Sequence, residues 1–146
     1  MKQLFITGTF RNDWNKEFNL RLAEALEKKG LTLFLPQRDA EQLGNRKQTF
    51  QHDVAGVDNA QMIVAIGTRT QTANWGFELG YAYKTGKPIV VITDREHPVE
   101  LMCEGAAAEI IIPDDIDNIE SYIEDILTKI KNFYLQHTHE NYFEET

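Results

Sequence analysis

The chain has 146 residues, room for one domain that buries its own core and not for two. Hydrophobic residues make up 42% and charged residues 26%, which excludes disordered and fibrous classes. The single cysteine, Cys103, excludes an intramolecular disulfide and a cysteine zinc site and fits a reducing compartment.

The net charge of −8 argues against a nucleic-acid partner, but it is unevenly spread. Residues 113–146 carry nine acids and two bases, so that segment supplies −7 and residues 1–112 only −1. No run of about 18 apolar residues is present, so no transmembrane helix is expected. Met1 to Gly8 is apolar too briefly for a signal peptide, and the expected location is cytoplasmic.

In chain order, Leu4–Thr7 is a short apolar strand ended by Gly8. Trp14, Phe18, Leu22, Ala25 and Leu26 recur at helical spacing, and Gly30 closes that helix just past its end. Leu31–Leu35 is a second strand stopped by Pro36, and Gln37–Lys47 reads as a polar loop. Phe50, Val54 and Val57 mark a second helix and Met62–Ile66 a third strand. Trp75–Tyr83 is a third helix ending near Gly86, and Pro88–Ile92 a fourth strand, with Ile110–Ile112 a candidate fifth. From Ile116 to Phe133 an isoleucine-rich stripe predicts a long amphipathic helix whose other face carries most of the acids. One domain over 1–137 and a tail over 138–146 are expected.

Strands apolar throughout, alternating with helices, predict a flavodoxin-like doubly wound α/β fold. Its five-stranded parallel sheet is covered by helices on both faces. Ligands of such sheets bind beyond the carboxyl ends of the strands. The segments to inspect are therefore Gly8–Asn12, Pro36–Asp39, Gly67–Trp75 and Thr93–Met102.

Within Trp75–Tyr83 every residue except Glu78 is apolar, aromatic or glycine. That pattern predicts a helix with little solvent-facing surface, in which a carboxylate needs a partner or a function. A buried glutamate that holds a neighbouring turn and a catalytic carboxylate both fit. Asp53 flanks the apolar positions of the second helix, as a surface acid or a functional one. Pro36-Gln37-Arg38-Asp39 is either a polar loop or a platform for a planar polar ligand. His137 and His139 form a short pair without a full set of metal ligands, and Cys103 has no activating histidine near it in sequence. No dinucleotide or nucleotide-triphosphate phosphate-loop pattern is present.

Taken together, several segments resemble the nucleoside 2-deoxyribosyltransferase family. They are Leu4-Phe5-Ile6-Thr7-Gly8-Thr9-Phe10, Phe34-Leu35-Pro36-Gln37-Arg38-Asp39, and Asp53 with Met62-Ile63-Val64-Ala65-Ile66. The most specific is Gly76-Phe77-Glu78-Leu79-Gly80-Tyr81-Ala82-Tyr83 before Gly86-Lys87-Pro88-Ile89. The resemblance implies that Glu78 is a nucleophile that takes a deoxyribose as a covalent ester, and that Asp53 protonates the departing base. It implies that Gly8 and Phe10 border the substrate and that Gln37, Arg38 and Asp39 read the base. It further implies no cofactor, a nucleoside and a free nucleobase as small-molecule partners, no membrane, and a homo-oligomer whose sites are completed across subunits.

Three positions depart from the family pattern. Thr72 stands where an aspartate commonly orients the sugar hydroxyls, and related nucleotide N-glycosidases carry a serine there. Glu100, ahead of Leu101-Met102, replaces an asparagine in a segment that reaches a neighbouring subunit's site. Trp75 is bulkier than the usual small residue and is expected to narrow the sugar pocket. These departures leave two alternatives beside base exchange. One is a 2′-deoxynucleoside 5′-monophosphate N-glycosidase, for which the sequence offers no phosphate cluster beyond Thr9 and Arg11. The other is a nucleotide-binding module without turnover. The last ten residues, with Tyr142 and Phe143, are a further segment that could border a neighbouring site.

Overall fold

A computed structural model describes residues 2–40 and 44–144, with only the backbone at 134 and 136–144. Five parallel strands form one sheet in the order β2-β1-β3-β4-β5. They are β1 (Lys2–Thr7), β2 (Leu33–Phe34), β3 (Ala60–Ile66), β4 (Ile89–Ile92) and β5 (Glu109–Ile111). The candidate fifth strand is therefore real. The helices are α1 (Asp13–Lys28), α2 (Pro36–Asp39), α3 (Arg46–Asp58), α4 (Ala73–Lys84), α5 (Leu101–Ala106) and α6 (Ile123–Glu144). No helix among the described residues is long and apolar enough to cross a membrane.

Successive residues of a strand face opposite sides of the sheet, and β1 shows how the core divides. Leu4 and Ile6 join Phe18, Leu22 and Leu26 of α1 and Ile123, Ile126 and Ile130 of α6. Phe5 joins Val57 of α3 and Trp75, Leu79 and Ala82 of α4 on the other side. Gly56 lets α3 approach that second side, because a Cβ there would lie 2.6 Å from Cε2 of Phe5.

Helix ends follow local chemistry. Asn12 caps α1 by accepting the Asn15 backbone N–H at 2.8 Å, a contact worth about 1 kcal/mol. Gly30, at φ +92°, turns the chain out of α1 as expected.

Four points differ from the sequence reading or add to it. Pro36–Asp39 is a helical turn rather than loop; Pro36 presets the first helical φ, and the Asp39 carboxylate accepts the Leu35 N–H at 2.8 Å. The stretch from Leu101 to Ala106 is a short helix that its largely exposed residues do not announce. The isoleucine stripe starts before its helix: Ile116 and Ile119 are buried through a turn and a 3-10 segment, and α6 begins only at Ile123. The fourth concerns α3, whose Phe50 is 54% exposed, so that only Val57 is fully buried on that helix.

The backbone of α6 continues helically through Glu144, past the expected 137/138 boundary. The side chains of His137, His139, Tyr142 and Phe143 lie outside the described residues. Among the described residues no group of three or more His, Cys, Asp or Glu side chains is placed to hold a metal ion.

Candidate active site

The chain leaves β1 toward β2 on one side and returns as β3 on the other, so a crevice opens where β1 and β3 end. Glu78 reaches this point from α4. Its carboxylate accepts a hydrogen bond from the hydroxyl of Thr7, the last residue of β1. Beside it lies a cavity of about 1180 Å³, larger than the ~300–1,000 Å³ of common ligand pockets. Thr7, Gly8, Phe10, Asp53, Thr72, Trp75 and Glu78 all contribute to its wall.

The surroundings of Glu78 differ from those the sequence suggested. Helix α4 buries only Trp75, Leu79 and Ala82, while Phe77 and Tyr83 are 53% and 64% exposed. Glu78 is thus not enclosed by the apolar residues of its own helix. Its half-buried position comes from α4 lying against the end of β1.

Burial pushes the Glu78 carboxyl up to about 7. The Thr7 hydroxyl pulls it down and the charge of Asp53 pushes it up further. The Asp53 carboxyl is also raised, chiefly by burial, with His52 opposing. Both carboxyls border the same cavity, and burial raises each above its ordinary range.

Two buried asparagines one helical turn apart on α1 hold the loops around the cavity. The Asn15 amide donates to the Thr68 carbonyl at 2.9 Å, and the Asn19 amide to the Thr9 carbonyl at 2.9 Å. Gly8 fits against this support because it lacks a Cβ, which would lie 3.2 Å from Asn19 Oδ1 and from Ile66. Asn15 and Asn19 escaped the sequence reading, although polar residues beside the buried Phe18 and Leu22 were a legible signal. Thr7, read only as a strand end, escaped it as well.

The segment 36–39 does not line the cavity. The Gln37 carbonyl oxygen accepts from Asn19 at 3.0 Å and its amide donates to the Lys16 carbonyl at 2.9 Å. Arg38 pairs with Glu27 at 2.6 Å and with Asp39 at 2.8 Å. Gln37 therefore braces the β1–α1 loop from behind, while Arg38 and Asp39 stabilise α2.

Thr72 caps α4, its hydroxyl accepting the Trp75 N–H at 3.4 Å. Trp75 borders the cavity but is only 3% exposed and packs in the core with Leu79 and Phe5. Glu100 and Met102 do not reach the cavity of their own chain, and Met102 is 84% exposed. Two further groups were not singled out by sequence. Arg46 and Lys47 start α3 and line the cavity together with Arg11.

The family model described as nucleoside 2-deoxyribosyltransferase matches residues 4–121 of this chain. No curated protein matches it. Among solved structures, a 2-deoxyribosyltransferase from Bacillus psychrosaccharolyticus is 20% identical with a TM-score of 0.69, covering 82% of this chain and 91% of that one. The CMP N-glycosidase of Clostridium botulinum is 15% identical with a TM-score of 0.61, covering 84% and 99%. A deoxyribosyltransferase from Leishmania mexicana is 17% identical with a TM-score of 0.53, covering 64% and 65%. At these identities the likeness is one of fold.

Proposed function

The chain belongs to the nucleoside 2-deoxyribosyltransferase family, a family of enzymes acting on the N-glycosidic bond of nucleosides, and on that premise we propose that it exchanges the base of 2′-deoxynucleosides through Glu78. The observation that carries this reading is the position of Glu78, half-buried at the strand switch point, hydrogen-bonded by Thr7 and lining the same cavity as Asp53.

A carboxylate oxygen of Glu78 attacks the anomeric carbon. The bond from that carbon to the base nitrogen breaks and its electron pair stays on the base. The Asp53 carboxyl gives the departing nitrogen a proton. An incoming base then attacks the same carbon, the ester bond to Glu78 breaks, and the proton returns to Asp53. Inversion at each step gives net retention. The reactive form has Asp53 protonated and Glu78 ionised. Phe10 and Phe77 offer aromatic faces to a planar base.

Incubation with a 2′-deoxynucleoside and a second free base is expected to yield the second nucleoside in amounts matching the first base released. Release of base with free deoxyribose and no new nucleoside would instead identify a hydrolase. Binding without either product would leave a module without turnover.

The assembly belongs to the same proposal. Leu101 and Met102 are 80% and 84% exposed, and Phe50 and Phe77 more than half. A second copy of the chain is the occupant that suits this apolar surface and the oversized cavity. Sedimentation equilibrium is expected to give a multiple of 16.8 kDa, and Leu101→Asp to lower both that mass and the exchange rate. A monomeric mass at assay concentrations, with full activity, would refute it.

A further inference from the structure

Among the described residues, two side chains join the loop after β3 to the loop after β4. The larger link is Gln71, half-buried and directly before Thr72, the residue that caps α4. Its amide nitrogen lies 3.1 Å from the Pro98 carbonyl and 3.3 Å from those of His97 and Gly67, so two N–H groups serve three acceptors. Its amide oxygen accepts the Glu100 N–H at 3.0 Å. Both ends of one amide therefore hold the segment 97–100 against the start of α4. The loops lie this close because Gly67 has no Cβ, which would stand 2.9 Å from Thr93.

The other link runs from the Thr68 hydroxyl to the Asp94 carboxylate at 3.0 Å. It ties the loops where they leave their strands, whereas Gln71 ties them where one loop becomes α4. In the first turn of that helix only Trp75 is buried, so few side chains fix this end. Glu78 follows in the next turn and meets the hydroxyl of Thr7. Gln71 itself does not line the cavity, although its neighbours Thr70 and Thr72 do. It can therefore act on Glu78 only through the backbone of α4.

We infer that Gln71 is a positioning residue: by clamping the segment 97–100 to the start of α4, it holds the Glu78 carboxylate in place at the end of β1. A reacting group is only as well placed as the contacts that support its backbone, and a misplacement of about 1 Å can cost roughly 10²-fold in rate. The effect on rate rests on the proposed role of Glu78. The effect on where the carboxyl sits does not.

The test uses the full chain with Gln71→Met, which keeps the length of the side chain and loses its hydrogen bonds. Gln71→Asn, one methylene shorter, is a second variant that stays polar but falls short of the 97–100 segment. Thr68→Val removes the other link and is the control. Two quantities are read: the kinetics of base exchange, and the Glu78 titration followed by carboxyl-carbon NMR. In the Gln71 variants kcat is expected to fall roughly tenfold or more, with a smaller change in KM. The Glu78 midpoint should drop from about 7 toward the ordinary glutamate range, because burial against β1 is the chief cause of its elevation. Thr68→Val should lower the melting temperature and leave the midpoint where it is. An unmoved midpoint in the Gln71 variants overturns the inference. So do equal shifts in Thr68→Val, which would make the effect one of loop stability, and a loss confined to KM, which would make Gln71 part of the binding wall. Base exchange by the wild-type protein is scored separately. If it is absent while the midpoint drops in the Gln71 variants, the proposed activity fails and the clamp stands; normal exchange with an unmoved midpoint refutes only the clamp.

Discussion

Glu78→Gln and Glu78→Ala should each lower base exchange by roughly 10³-fold or more, because neither side chain can form the glycosyl ester. Near-normal exchange in either variant would refute the proposed mechanism. The glutamine variant should also be more stable than the wild type at high pH, and the sign follows from the titration. The Glu78 carboxyl stands near 7 in the folded protein against 4.5 for an ordinary glutamate. A group raised in this way contributes its full stability below the unfolded value, and that contribution is lost as pH rises through the folded one. Between about pH 4.5 and 7 the wild type therefore loses stability that the neutral glutamine keeps. The difference is at most about 3.5 kcal/mol at roughly 1.4 kcal/mol per pH unit, and thermal melts at pH 5 and pH 8 measure most of it. A variant that is inactive and also less stable than the wild type at pH 8 would mean that Glu78 supports the fold through Thr7 and is not held at a cost for chemistry.

Asp53→Asn should slow exchange by roughly 10²- to 10³-fold, the ordinary contribution of a positioned general acid. Two readouts separate that role from a structural one. Bases that leave readily without protonation should lose much less rate than poor leaving groups. The acidic limb of the pH profile should also move to lower pH, because the charge of Asp53 helps to raise Glu78 and asparagine removes it. Burial still acts on Glu78 in the variant, so the limb stays above the ordinary glutamate range. A uniform loss across all bases with an unmoved limb would show that Asp53 only supports α3.

Much of the architecture was legible in the chain. The continuous apolar runs at Leu4–Thr7, Met62–Ile66 and Ile89–Ile92 could only be parallel strands covered on both faces. Glu78 was legible because it interrupts an otherwise uncharged segment, and the resemblance of that segment gave it a role. The short helix at 101–106 was not legible, because it is mostly exposed and has no apolar stripe to register. The composition of α4 itself misled in the opposite direction. An apolar composition from Trp75 to Tyr83 suggested an enclosed helix, yet Phe77 and Tyr83 face outward. Composition counts side chains; it does not say how much of a helix a sheet can cover.

By itself the sequence determined the class of fold and its strands, and it singled out the two acids on which the chemistry is proposed to turn. Periodicity and charge along a chain are local properties, and these features are local. Only the tertiary structure decided what meets across the switch point. It set Thr7 against Glu78, 71 positions apart in sequence, and turned Gln37 toward Asn19 and away from the cavity. It also brought Arg11 to the border of the same cavity as Arg46 and Lys47. The net charge of −8 concealed that last grouping, because a sum over the chain has no position, whereas the field at a cavity is set by the few charges that line it.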